Sequence, residues 1–252
     1  MKNMTILTLL VKIYSARQLK QADDELKTEF ENLDLDFKVL GAPVNKWMQV
    51  SLSGEDEAVA TNYLKKEIGT CPVSIKRIQK DQLIKGFITN IETAKDQLIV
   101  DVGIFEPKIT LANISLVSLQ SKLSDGNQDS LKKISETYGL EKYLPLQVKV
   151  AELDVEKDEF RVELSEEQVE KIHLWQQSLL DRLIVLGATK KELEAVVERA
   201  QLGRDIIDTE TLGFFEHALT CKLGTDAAGL IPSIGRYLRN AQIVIFKAQN
   251  RR

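Results

Sequence analysis

The densest run of residues able to do chemistry is GTDAAGLIPSIGR, from Gly224 to Arg236. Its glycines, the Thr225-Asp226 pair and a helix opened by Pro232 would expose backbone N–H groups able to receive a phosphate, with Arg236 and Arg239 close by. Gly224, Thr225, Gly229 and Arg236 therefore form a candidate anion site. The same stretch also reads as a helix stop at Gly224, an N-cap at Thr225 or Asp226 and a tight link into the last helix. It matches neither a Walker loop nor the GxGxxG fingerprint, so nucleotide hydrolysis has no support.

The surrounding charge points the same way. From Cys221 onward the charged residues are Lys222, Arg236, Arg239, Lys247, Arg251 and Arg252 against the single acid Asp226. Lys222, Arg236, Arg239, Arg251 and Arg252 are candidate nucleic-acid contacts, each able to make binding depend on salt. Two of them also suit helix ends, where a cation favours the dipole, and two belong to the terminus. A second cluster, Lys76, Arg77, Lys80 and Lys85, reads as a solvated linker or as part of the same contact set. His217 and Cys221 stand four apart on an expected helix, a two-ligand spacing that falls short of a metal site with only His173 as a further histidine. Asp154, Glu156, Asp158 and Glu159 read as a solvated turn rather than a general acid/base pair. With no GxSxG and no Cys-His arrangement, no catalytic set converges, and no cofactor or metal is expected.

These residues need elements to hold them, and the chain divides into three segments. Residues 1–80 read as strand, helix, strand, strand, helix. Thr5 to Ile13 is the first strand, Ser15 with Gln18 forms a capping box, and two strands follow through a turn at Gly41 to Asn45. This is a two-layer α/β domain. Residues 81–164 turn β-rich, with strands at Leu83 to Ile91, Gln97 to Val102, Pro107 to Leu111, Leu146 to Leu153 and Glu159 to Leu164, enough for a small closed barrel. A polar stretch, SKLSDGNQDS, and a short helix form an insertion between the early and late strands. Residues 165–252 read as a mainly helical α+β domain. Its helices open at Ser165, at Thr189 and near Thr209, the first continuing through Leu183 and the third carrying Leu212, Phe215 and Leu219; a strand from Ala241 to Phe246 closes the segment. The fold class is thus α+β and multidomain.

In the central segment the spacing is specific. KGFI from Lys85 to Ile88, VDVG from Val100 to Gly103, then Ala112, Ile114 and Leu116, then VKVAELD from Val148 to Asp154 and RVELS from Arg161 to Ser165 resemble the S1 family in order from end to end. The resemblance implies an OB-fold barrel and single-stranded RNA as the ligand class, with Lys85 and Phe87 as its contacts here. S1 domains that grip RNA usually present aromatic side chains on the second and third strands, and AKDQLIVDVG carries none. The closing stretch, LGFFEHALTCKLGTDAAGLIPSIGRYLRNAQIVIF, is similar to archaeal proteins of unassigned function that join an S1-like domain to a helical region. That likeness implies an archaeal cytoplasmic protein and names no substrate.

Composition sets the outer bounds. A chain of 252 residues with 43% hydrophobic content can bury a sizeable core. A net charge of -4 confines any nucleic-acid surface to a local patch, and Asp81 to Gln168 is acidic, with 17 Asp and Glu against 10 Lys and Arg. Cys71 and Cys221 are too few and too far apart for a disulfide framework, which suits a reducing, cytoplasmic compartment. No apolar run approaches the ~20 residues a bilayer span requires, so no membrane is expected. The expected function is non-catalytic binding of RNA or a ribonucleoprotein. The alternative is a protein-protein adaptor that docks the acidic barrel on a basic partner such as RNA polymerase or a ribosomal protein.

Overall fold

The computed structural model describes residues 4–154 and 159–248. They form two compact units. The first runs to Arg77 and also takes in Gly103–Ile109; the second comprises Ile78–Val102 and everything from Thr110 onward.

The first unit carries β1 (Thr5–Lys12), α1 (Ala16–Glu29), β2 (Leu35–Val44), β3 (Trp47–Gly54), α2 (Glu57–Tyr63) and the short β4 (Val73–Ser74). The expected order holds. Ser15 Oγ accepts the Gln18 amide and the Gln18 side chain accepts the Tyr14 amide, which fixes the start of α1. Strands β2 and β3 meet in a two-residue turn, Asn45-Lys46, with both φ values positive at 44° and 67°, and Val44 facing Trp47. Positive φ at both positions suits the right-handed twist of a hairpin, and Asn lowers its strain. The antiparallel sheet runs β1-β3-β2.

The second unit opens with the barrel: β5 (Leu83–Glu92), β6 (Gln97–Glu106, whose end belongs to the first unit), β7 (Thr110–Ser115), α3 (Leu116–Leu123), α4 (Leu131–Tyr138), β8 (Pro145–Asp154) and β9 (Glu159–Leu164). Strand β5 pairs with β6 and with β8, β9 pairs with β8 and in parallel with β7, and β6–β7 pairing closes the ring. This five-stranded closure is OB-like. Alternate residues point inward, Val100, Val148, Val150 and Ile88 among them, and all four are fully buried. Gly86 is required there: a Cβ on it would lie 2.7 Å from the Asp101 carbonyl oxygen and from the side chains of Val100 and Val102. The third strand lies at Thr110–Ser115 rather than Pro107 to Leu111, because the proline segment precedes the ladder.

The remainder departs from the expected helical domain. After α5 (Glu166–Gln177) come β10 (Arg182–Leu186), α6 (Lys190–Arg199), β11 (Ile206–Thr211), β12 (Glu216–Cys221), α7 (Ala227–Gly235) and β13 (Gln242–Phe246). The strands form one antiparallel sheet in the order β11-β12-β10-β13. The first helix stops at Gln177, with Leu179 at φ 58°, so Leu183 stands in a strand. The helix expected from Thr209 is a hairpin. Leu212, Phe215 and Leu219 match helical spacing, but β12 is buried on both faces, and a strand buried on both faces loses the alternation that marks it. Leu183, Val185, Leu219 and Cys221 line the sheet face that packs on α6 and α7, while Ile184 and Phe246 face the Gly139 turn and Trp175.

Candidate functional site

The residues singled out by sequence fall into three places. Lys85 and Phe87 stand on β5. Lys85 is exposed with no ion-pair partner among the described residues, but Phe87 is only 2% exposed and offers no ring to a base. The middle of β6 is closed as well, with Asp101 fully buried and Gly103 buried, while Ile99 and Phe105 are half-buried. Three other cations of the barrel are already engaged. Lys149 pairs with Asp81 at 2.9 Å, and that pairing holds the Asp81 carboxyl below its usual range. Arg161 bridges Glu152 at 2.6 Å and Glu159 at 3.1 Å, and Lys122 lies 3.7 Å from Glu163. Lys122, Lys149 and Arg161 are thus held by carboxylates, while Lys85 has no such partner among the described residues.

The second place is the start of α7. Gly224, at φ 87°, makes the expected stop, but the amides that would cradle an anion are taken. Thr225 N–H donates to the Lys222 carbonyl, Gly229 N–H to the Asp226 carbonyl, and Ala228 N–H to the Asp226 carboxylate at 3.1 Å. Asp226 is the cap, so a carboxylate occupies the position a phosphate would need. The helix begins at Ala227, not at Pro232, which sits inside it. Nine residues of helix, about 14 Å of rise, therefore separate Gly224 and Thr225 from Arg236. The expected four-residue anion site is split, with Lys222 exposed at one end and Arg236 at the other.

The third place is the exit of α7. Ile234 and Leu238 are buried at 0% and 3%, and the Tyr237 and Leu238 amides both donate to the Ile234 carbonyl. Anchored so, the turn leaves Arg236, Tyr237, Arg239 and Asn240 exposed. The Arg236 guanidinium lies 5.5 Å from the centre of the Tyr237 ring, and Tyr237 is 37% exposed. Neither arginine has an ion-pair partner among the described residues. Sequence reasoning missed Tyr237; its neighbours in RYLRN were the available signal. Arg251 and Arg252 lie outside the described residues, as do Glu156 and Asp158.

Buried titratable groups lie deeper in this sheet. Glu216 is 3% exposed and accepts the Phe215 amide at 3.2 Å; burial without a cation pushes its carboxyl up to about 8. On the next residue, burial pulls His217 down to about 4, against the opposing pull of the Phe214 and Ala188 backbone. His217 and Cys221 lie on a strand, not a helix, where four residues span about 13 Å, so they cannot share a metal. Burial raises the Cys221 thiol to about 11. No group of metal-ligating side chains occurs among the described residues.

One cleft of about 300 Å³ runs between the barrel and α5, lined by Lys85, Gln147, Gln168, Lys171, Trp175 and Leu212 among others. Its polar groups are largely spent on structure. Trp175 Nε1–H donates to Glu210 at 3.0 Å, Lys171 pairs with the same carboxylate, Gln168 accepts the Gln147 amide, and Gln147 accepts the Ser165 hydroxyl.

Three domains, the middle one an OB-like barrel and the last a sheet whose helix exit carries arginines without ion-pair partners among the described residues, define a mixed α and β protein. The chain belongs to the DUF2110 family: the DUF2110 N-terminal domain matches residues 6–74, the DUF2110 central domain 78–176 and the DUF2110 C-terminal domain 180–246. No curated protein matches it in sequence. Among solved structures, an uncharacterised protein from Methanocaldococcus jannaschii is similar at 13% identity over 35% of this chain and 95% of its own, with a TM-score of 0.25. A chain of the a/eIF2alpha-aDim2p-rRNA complex from Pyrococcus horikoshii is similar at 12% identity over 51% and 70%, with a TM-score of 0.27. The intact alpha subunit of aIF2 from Pyrococcus abyssi is similar at 8% identity over 69% and 98%, also with a TM-score of 0.27. Likenesses this distant carry no functional argument. No helix among the described residues is long and apolar enough to cross a membrane.

Proposed function

We propose that this chain is a non-catalytic, cytoplasmic protein that binds RNA, alone or within a ribonucleoprotein, and that the exit of α7 makes the contact. The barrel, which resembles S1 domains in its motifs, serves as the scaffold. One observation carries the reading: Arg236 and Arg239 are exposed and unpaired, with no acid anywhere from Ala227 to Ala248, whereas Lys122, Lys149 and Arg161 on the barrel are held by carboxylates. An unpaired guanidinium is free to displace counterions from a phosphate backbone. The test is fluorescence anisotropy with short single-stranded RNA at low and moderate salt, using the chain and its Arg236→Ala/Arg239→Ala variant. Salt-sensitive binding lost in the variant supports the reading; binding unchanged by the substitutions sinks it.

The acidity of the barrel segment favours a second reading, in which the barrel docks on a basic protein. Capture of partners that survives nuclease treatment would favour that adaptor role.

A further inference from the structure

We infer that the exit of α7 takes single-stranded rather than duplex RNA, with one unpaired base stacked on Tyr237 and the adjoining phosphates held by Arg236 and Arg239. This rests on the RNA-binding reading above and names its ligand class. The geometry has three parts. Buried Ile234 and Leu238 pin the turn from inside, so the backbone that carries the intervening side chains is held in place. Tyr237 keeps 37% of its surface exposed. Arg236, 5.5 Å from the ring centre, adds a flat cation against the same π-system, and Arg239 stands two residues further along. Every base has a π-face, so an aromatic ring beside unpaired guanidinium groups recognises a strand whose bases are splayed.

A duplex fits this surface poorly. Its bases are stacked inside the helix, and recognition of duplex RNA relies on contacts spread over about 16 base pairs. Helix α7 rises about 14 Å, and the barrel cations Lys149 and Arg161 are spent on carboxylates. One ring and a few positive charges suit a short single strand.

The experiment is fluorescence anisotropy of the full chain with a labelled single strand of about ten nucleotides and with a duplex of the same sequence. The variants are Tyr237→Ala, Tyr237→Phe and Arg236→Ala/Arg239→Ala. Expected are affinity for the single strand about tenfold above that for the duplex, an about tenfold loss in Tyr237→Ala with the salt slope unchanged, and near-complete retention in Tyr237→Phe. Equal affinity for both forms overturns the inference. So does an unaffected Tyr237→Ala; if the arginine variant still loses binding in either case, the RNA-binding reading stands. If neither RNA form binds at low salt, reading and inference fall together.

Discussion

The barrel and the C-terminal sheet handle charge in opposite ways. The barrel core is largely apolar, with Asp101 and Thr110 its buried polar side chains on the strands, and Lys149 and Arg161 on its wall meet carboxylates. The sheet buries Glu216 with no cation beside it, buries Arg182 under Trp175 with its Nη1 donating to the Trp175 and Leu180 carbonyls, and leaves Arg236 and Arg239 unpaired at its edge. The contrast separates a region whose electrostatics are settled from one whose electrostatics are open to pH and ligands.

The largest effect that would sharpen this contrast is on stability. Glu216 has a folded-state value near 8 against an ordinary 4.5, so the native state keeps a proton that the unfolded chain releases. Its contribution is fully present below about 4.5 and is lost as pH rises to about 8, a change on the order of a few kcal/mol. Thermal melts between pH 6.5 and 9 should show this decline, since below about 6.5 the lowered value of His217 gives a slope of opposite sign, and Glu216→Gln should flatten it. A slope unchanged in the variant would break the assignment. Next in size, Arg236→Ala/Arg239→Ala should lower single-strand RNA affinity roughly tenfold to a hundredfold and reduce the salt slope by about two. Smaller is a gain: Glu152→Gln/Glu159→Gln frees Arg161, and anisotropy should show binding strengthened about twofold if pairing is what silences the barrel wall. Smallest is Arg161→Ala, which should leave RNA affinity and salt slope unchanged; a loss comparable to that of the α7 variant would erase the distinction between the two regions.

What was legible in the sequence follows the same division. Capping residues announced helices because their chemistry is local: Ser15, Ser165 and Thr189 each accept the amide three residues on, at 3.1 to 3.3 Å. The late barrel strands β8 and β9 were legible because one face of each is wetter and the alternation survives. The C-terminal sheet was not. In RLIVL and EHALTC every residue is buried, so both stretches read as pieces of helix. At the candidate site, Arg236 and Arg239 were legible as types. Their separation from Gly224 was not, because it depends on α7 starting at Ala227, and a cap at Asp226 competes directly with the anion the glycines suggested. Phe87 failed for a related reason: a strand pattern gives the side a residue faces, not whether that side is covered.

The inclusion of Gly103–Ile109 in the first compact unit sets a limit on dissection. Gly103, at φ 80°, sits so close to Cys71 that a Cβ there would come within 2.5 Å of its sulfur, and Cys71 is 5% exposed. A fragment cut after Arg77 leaves that cover behind, so its thiol should react with an alkylating reagent that spares the intact chain.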